Sequence, residues 1–207
     1  MDLFILDEEV FKLETALSLL ENSHRLDVLI PLAWHLRQRD CQRAHSLISE
    51  ANELLKTVTL DHHVYQTFVA RIALIQGEIH WLFAELEQAE HFALDAINQF
   101  ENLNDPIGIG DGYFLLTSIQ RDHGQIKKRD YYLQSALEQY CRSGDILRQQ
   151  IAKARQLHNC AIRDPKRCAK LLLQQFPKTA NYHATVDAWI SSASAIVANK
   201  IGDLGES

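Results

Sequence analysis

The chain is poor in the residues that interrupt helices and in the patterns that mark strands, pores or disulfide scaffolds. Only 8 of its 207 residues are glycine and 4 are proline, and runs of β-branched residues are absent, so no strand signature can be read. No stretch of eighteen apolar residues occurs, and the opening MDLFILDEEVF has acids where a secretory signal has lysines. Neither a membrane span nor an export signal is therefore expected, and cytoplasmic placement is. The four cysteines, Cys41, Cys141, Cys160 and Cys168, form no CxxC pair and are too sparse for a disulfide framework, so buried, reduced thiols are expected. A net charge of −6 argues against nucleic acid as the main partner, because phosphate binding draws its affinity from lysine and arginine.

What is present is helical periodicity. Apolar residues recur three and four apart along nearly the whole chain, as in LETALSLL and AKLLLQQF, which predicts an all-α protein. The pattern repeats. FENLNDPIGIGDG at 100–112 aligns with YCRSGDILRQQIA at 140–152, pairing Asp105 with Asp145 at an offset of 40, and Ala96 with Ala136. The phrase RDxxR occurs twice, at Arg39–Arg43 and Arg163–Arg167, each time at the turn of a helical hairpin. Two antiparallel helices cannot bury their apolar faces alone, so stacked hairpins with atypical ends are expected. Asp7–Asn22 and Tyr182–Asn199 read as amphipathic caps, and the tail IGDLGES as frayed. Pro31 calls for a helix start near Asp27. Charge is uneven: residues 1–100 carry 7 basic and 16 acidic groups, residues 121–170 carry 12 and 5. A basic surface of that kind suits an acidic ligand or partner, and a solvated surface carries the same imbalance.

Gly77 with Ala89, Ala93 and Ala96, then Gly124 with Tyr131, Tyr132, Ala136 and Leu137, resemble the tetratricopeptide repeat (TPR), whose small residues let paired helices approach. The resemblance covers about residues 25–176 and departs from the family at Thr117 and Arg129. It implies a right-handed superhelical α-solenoid of about four hairpins (about 25–62, 63–104, 105–144 and 145–176), between an N-terminal cap at 1–24 and a C-terminal cap and tail at 177–207. The 40-residue period resembles the long-helix variety in bacterial signalling proteins. LAWHLRQRDCQRAHSLISEA is similar to repeat regions that precede GGDEF diguanylate cyclase domains; no GGDEF motif occurs here, so an output domain is expected outside this chain.

No catalytic constellation converges. Cys160 and His158 are two apart on a helix and point about 200° apart. His183 and Asp187 share a helix face but find no local third ligand, so no metal is expected. His62 and His63 read as an exposed loop feature, and Asp7, Glu8 and Glu9 as acids complementing a helix dipole. The three alternate glycines of NDPIGIGDGYF suggest a phosphate loop, but no strand precedes them and no lysine follows until Lys127. The stretch reads instead as a joint at which Asp105 caps a helix, Pro106 takes its first position, and the glycines allow either close packing or a ligand near the backbone.

A non-catalytic recognition module without cofactor is therefore expected, taking a peptide, protein segment or small ligand in a groove lined by first helices, as the family resemblance implies. The groove-facing residues would be Trp34, Arg37, Arg71, Glu78, Trp81, Asp111, Phe114, Ser118, Arg121 and His158. Trp or Phe beside Arg has the composition of a binding hot spot, and Arg71 and Arg121 could hold a carboxylate; the aromatics would equally fill space between neighbouring helices. The alternatives are a self-assembling homodimer and, more remotely, a nucleotide-using enzyme.

Overall fold

The computed structural model describes residues 1–177 and 181–202, and among them there are ten α-helices, one 3-10 turn and no strand. The helices are α1 (Asp7–Leu19), α2 (Leu26–Leu36), α3 (Cys41–Thr57), α4 (His62–Leu82), α5 (Leu86–Asn102), α6 (Pro106–Asp122), α7 (Ile126–Ser143), α8 (Ile146–Arg163), α9 (Pro165–Gln175) and α10 (Ala184–Gly202). None of these is long and apolar enough to cross a membrane. Most of the tail read as frayed lies outside the described residues.

Helix starts follow from aspartate. Asp40, Asp61, Asp105, Asp145 and Asp164 each accept backbone N–H bonds in the first turn of α3, α4, α6, α8 and α9, satisfying donors that a helix start leaves without partners. In both RDxxR motifs the aspartate is the cap and the final arginine supplies the amide, at 2.9 Å from Arg43 and 3.0 Å from Arg167. Asp105 caps α6 with Pro106 in its first turn. Asp61 draws His62 and His63 into the first turn of α4, so these exposed histidines belong to a helix and not to a loop.

Helix ends follow a stricter rhythm. Ala84, Asn104, Gly124 and Gly144 have φ of 60°, 53°, 71° and 74°, a left-handed residue every twenty positions. At the first three, the next amide reaches back five residues: Glu85 to the His80 carbonyl at 2.9 Å, Asp105 to Phe100 at 3.0 Å and Gln125 to Gln120 at 2.8 Å. These are Schellman closures, which absorb carbonyls that the helix cannot pair.

The chain divides into two compact units, Met1–Tyr132 and the residues from Leu133 onward, with the division inside α7. In the first unit α2 packs on α3, α4 on α5, and α5 on α6, around a core that includes Trp34, Leu47, Ile75, Phe100 and Leu116. Alanines permit the close approaches: Ala89, Ala93 and Ala96 are fully buried along one face of α5. Glycines go further. A Cβ on Gly108 would lie 2.3 Å from the Phe100 ring, and one on Gly112 would lie 2.5 Å from Ile97 Cγ1, so α6 meets α5 at a distance only glycine allows. In the second unit α8, α9 and α10 pack mutually, burying Ile151, Leu157, Cys168, Val186 and Ala193.

Two local expectations change. Pro31 lies inside α2, in its second turn; the carbonyl that loses its partner is that of Asp27, an exposed residue whose backbone can turn to water. All four thiols are free, but of the four only Cys168 is buried; Cys141 is exposed and Cys41 and Cys160 are half-buried.

Candidate recognition face on the first helices

Within the first unit, α2, α4 and α6 bring together side chains about forty residues apart. Arg37, at the end of α2, donates through Nε to Glu78 Oε2 at 2.5 Å, and Gln38 donates to the other oxygen of the same carboxylate. One step on, Arg71 of α4 donates through Nη1 to Asp111 Oδ2 of α6 at 3.0 Å, with Asp105 3.7 Å from its other terminal nitrogen. The third link joins Trp81 Nε1 to Asp122 Oδ2 at 2.7 Å, and Arg121 lies on the same carboxylate, Nε to Oδ1, at 2.7 Å.

Aromatic rings back the first two links. The Arg37 guanidinium sits 3.5 Å from the Trp34 ring centre, while that of Arg71 lies 5.0 Å from Trp34 and 4.8 Å from Phe100. A guanidinium is weakly hydrated and flat, so it tolerates such burial better than an ammonium would. Trp34 is held in turn by its indole N–H, which donates to the Asp2 carbonyl at 2.9 Å.

Burial separates the ten residues expected on the groove into two groups. Trp34, Arg37, Arg71, Glu78, Asp111 and Ser118 are each less than 8% exposed. Their charges are matched internally: the carboxylates facing Arg71 are Asp111 and Asp105, and Arg37 and Glu78 neutralise each other. Trp81 and Phe114 are half-buried and Arg121 is exposed, with its guanidinium 5.9 Å from the Trp81 ring. His158 lies in the second unit, its ring edge-on to Trp189 at 4.9 Å. Solvent on this face of the first unit therefore meets Trp81, Phe114 and Arg121.

Gln38, Asp105 and Asp122 join the cluster although the repeat pattern did not single them out. The available signal was opposite charge at an offset of one repeat, as Arg71 and Asp111 display. Asp105 does two jobs: it caps α6 through Oδ1 and faces Arg71 through Oδ2.

The N-terminal segment adds a titratable group. His35, buried on α2, has its pKa lowered to about 4, first by burial and then by Arg37, with Asp2 opposing, Arg39 adding to the lowering and Glu9 opposing last. It borders a cavity of about 710 Å³ between the N-terminal residues, α1 and α2, where Asp2, Glu9 and Lys12 also face. A second cavity of about 700 Å³ lies along α3 and α4, next to Glu50, Lys56 and Tyr65. Tyr113 and Tyr132 stack at 6.0 Å, and burial pushes both phenol pKa values up.

The glycines of NDPIGIGDGYF are helical residues of α6, and Gly108 and Gly112 press against α5. No protein-family model matches the chain, and no curated protein and no solved structure matches it either.

Proposed function

We propose that this chain is a non-catalytic, tetratricopeptide-like recognition module that binds an extended peptide or protein segment, or a small ligand, across its first helices. In its finer form the proposal is a right-handed solenoid of about four hairpins with capping helices, serving as the input part of a bacterial signalling protein whose output domain lies outside this chain. The forty-residue spacing of equivalent contacts and the twenty-residue spacing of helix ends support a repeat reading.

One observation carries the binding assignment: Trp81 and Arg121 meet over Asp122 at the solvent-facing end of an otherwise buried polar ladder. A half-buried indole beside an exposed guanidinium supplies apolar area and directed hydrogen bonds together. The buried pairs behind it, Arg37 with Glu78 and Arg71 with Asp111, hold α2, α4 and α6 in fixed relation, which lowers the ordering cost of binding. The test is selection of a random peptide library on the wild-type chain, with binders measured against Trp81→Ala and Arg121→Glu. Binders weakened about tenfold or more by either change support the face; binders indifferent to both refute it.

A second reading, self-assembly, is favoured by Phe11 and Leu19 of α1, which are 73% and 79% exposed. Sedimentation equilibrium on wild type and on Phe11→Ser with Leu19→Ser decides it, a wild-type monomer at high concentration counting against it.

A further inference from the structure

His35 is a buried polar side chain of α2 that the recognition face leaves unused. It is 8% exposed, and neither ring nitrogen has a hydrogen-bond partner among the described residues. Buried polar groups in folded proteins are paired, so a nitrogen without a protein partner points to a group that comes from outside the chain. The ring borders the cavity of about 710 Å³ between the N-terminal residues, α1 and α2.

The outer wall of that cavity is tied down. The Asp2 carbonyl accepts the Trp34 indole N–H at 2.9 Å, and the Ile5 carbonyl accepts Arg39 Nη2 at 2.8 Å. The Leu6 amide donates to Glu9 Oε2 at 3.0 Å, which fixes the entry into α1. These bonds hold the first six residues over α2 and keep the space beneath them open.

The lining selects the ligand. Ile5, Leu13, Ala16 and Pro31 give the cavity carbon walls, which suit an apolar body, and its volume is within the roughly 300 to 1,000 Å³ of small-molecule sites. At the His35 end a charge is unwelcome. Burial keeps the imidazole neutral at pH 7, and the same desolvation acts on any charge that a ligand brings to it. Arg37 and Arg39 oppose a cation there, and Asp2 and Glu9 oppose an anion. Lys12, also on the cavity, is exposed, so its ammonium stays hydrated at the rim. A neutral imidazole has one donor and one acceptor nitrogen, and a hydroxyl group can answer either.

We propose that this cavity is a binding site for a small uncharged alcohol with an aromatic or branched aliphatic body, whose hydroxyl pairs with His35. The site shares no residue with Trp81 and Arg121 and is independent of what binds there.

The experiment titrates the 207-residue chain, with its histidines labelled with ¹⁵N, with 2-phenylethanol and follows the ring nitrogens by NMR. Three probes of similar body serve as comparisons: phenylacetate, 2-phenylethylammonium and ethylbenzene. The alcohol is expected to bind saturably, to move the His35 ring nitrogens, and to bind about tenfold or more tightly than either charged probe. His35→Phe keeps the bulk of the ring without its nitrogens, and should weaken the alcohol about three- to tenfold while leaving ethylbenzene unchanged. Ile5→Trp fills the cavity and should abolish binding of both. Absence of saturable binding by 2-phenylethanol, His35 nitrogens that do not move at saturation, or undiminished binding to Ile5→Trp overturns the site. A charged probe that binds as tightly as the alcohol, or equal affinity of the alcohol for His35→Phe, overturns the pairing of a neutral hydroxyl with His35.

Discussion

Arg71 donates a 3.0 Å hydrogen bond to Asp111, forty residues along the chain, and both side chains are more than nine-tenths buried. A pair in this position is not a measure of stability, because desolvation of two ions offsets most of their attraction. Removing one partner is another matter, since it leaves a charge in a site built for two. Asp111→Ala should therefore destabilise the chain by about 3 to 5 kcal/mol, read from urea unfolding. Arg71→Met combined with Asp111→Leu should recover much of that loss; a double variant no more stable than Asp111→Ala would contradict the argument.

The glycines on α6 can be tested by a single methyl group. Alanine favours a helix by about 0.8 to 1.0 kcal/mol over glycine, so on propensity alone Gly108→Ala should stabilise. A Cβ there would meet the fully buried Phe100 ring at 2.3 Å, and overpacking costs about 1 to 3 kcal/mol. Packing should win, giving a net destabilisation of up to about 2 kcal/mol, with Gly112→Ala following through Ile97. An increase in melting temperature for both would show that α6 can back away from α5.

At the helix ends the sign reverses. Ala84 holds a left-handed φ of 60° that costs a residue with a Cβ about 1 kcal/mol, so Ala84→Gly should stabilise by roughly that amount. Gly124, at φ 71° with open space around its Cβ direction, should lose about 1 kcal/mol as alanine, from backbone strain alone. Calorimetric unfolding of the two single variants checks both signs.

His35 predicts a pH response. Its pKa is about 4 when folded against 6.5 for the free side chain, so between those values the unfolded chain binds a proton that the folded one refuses. Stability is thus complete above about pH 6.5 and declines as pH falls towards 4, by about 2 to 3 kcal/mol from this residue. The groups facing it are Asp2 and Glu9, which pull its pKa up, and Arg37 and Arg39, which push it down. Stability of His35→Gln measured against pH should lack this part of the decline.

The local devices of the fold were legible in the residues. Asp105 with Pro106 announced a helix start, Gly124 a helix end, and the RDxxR motifs two equivalent turns, because each interaction closes within five residues and needs no knowledge of packing. The amphipathic period carried the all-helical content in the same way. Burial along the face of α2, α4 and α6 was not legible. The repeat register put Arg37 and Glu78 on one face, and Arg71 and Asp111 too, but whether a charged face meets water or another charged face depends on how closely neighbouring helices approach. That distance comes from Gly108, Gly112 and the alanines of α5 acting against partners in other helices. Composition and periodicity therefore determined the kind of structure and those helix boundaries that carry a capping aspartate or a left-handed glycine, since these are settled by neighbours in the chain. Which charges are spent inside and which of the ten candidate residues face solvent were decided by tertiary packing, because each depends on groups that only the folded chain brings within a few ångströms.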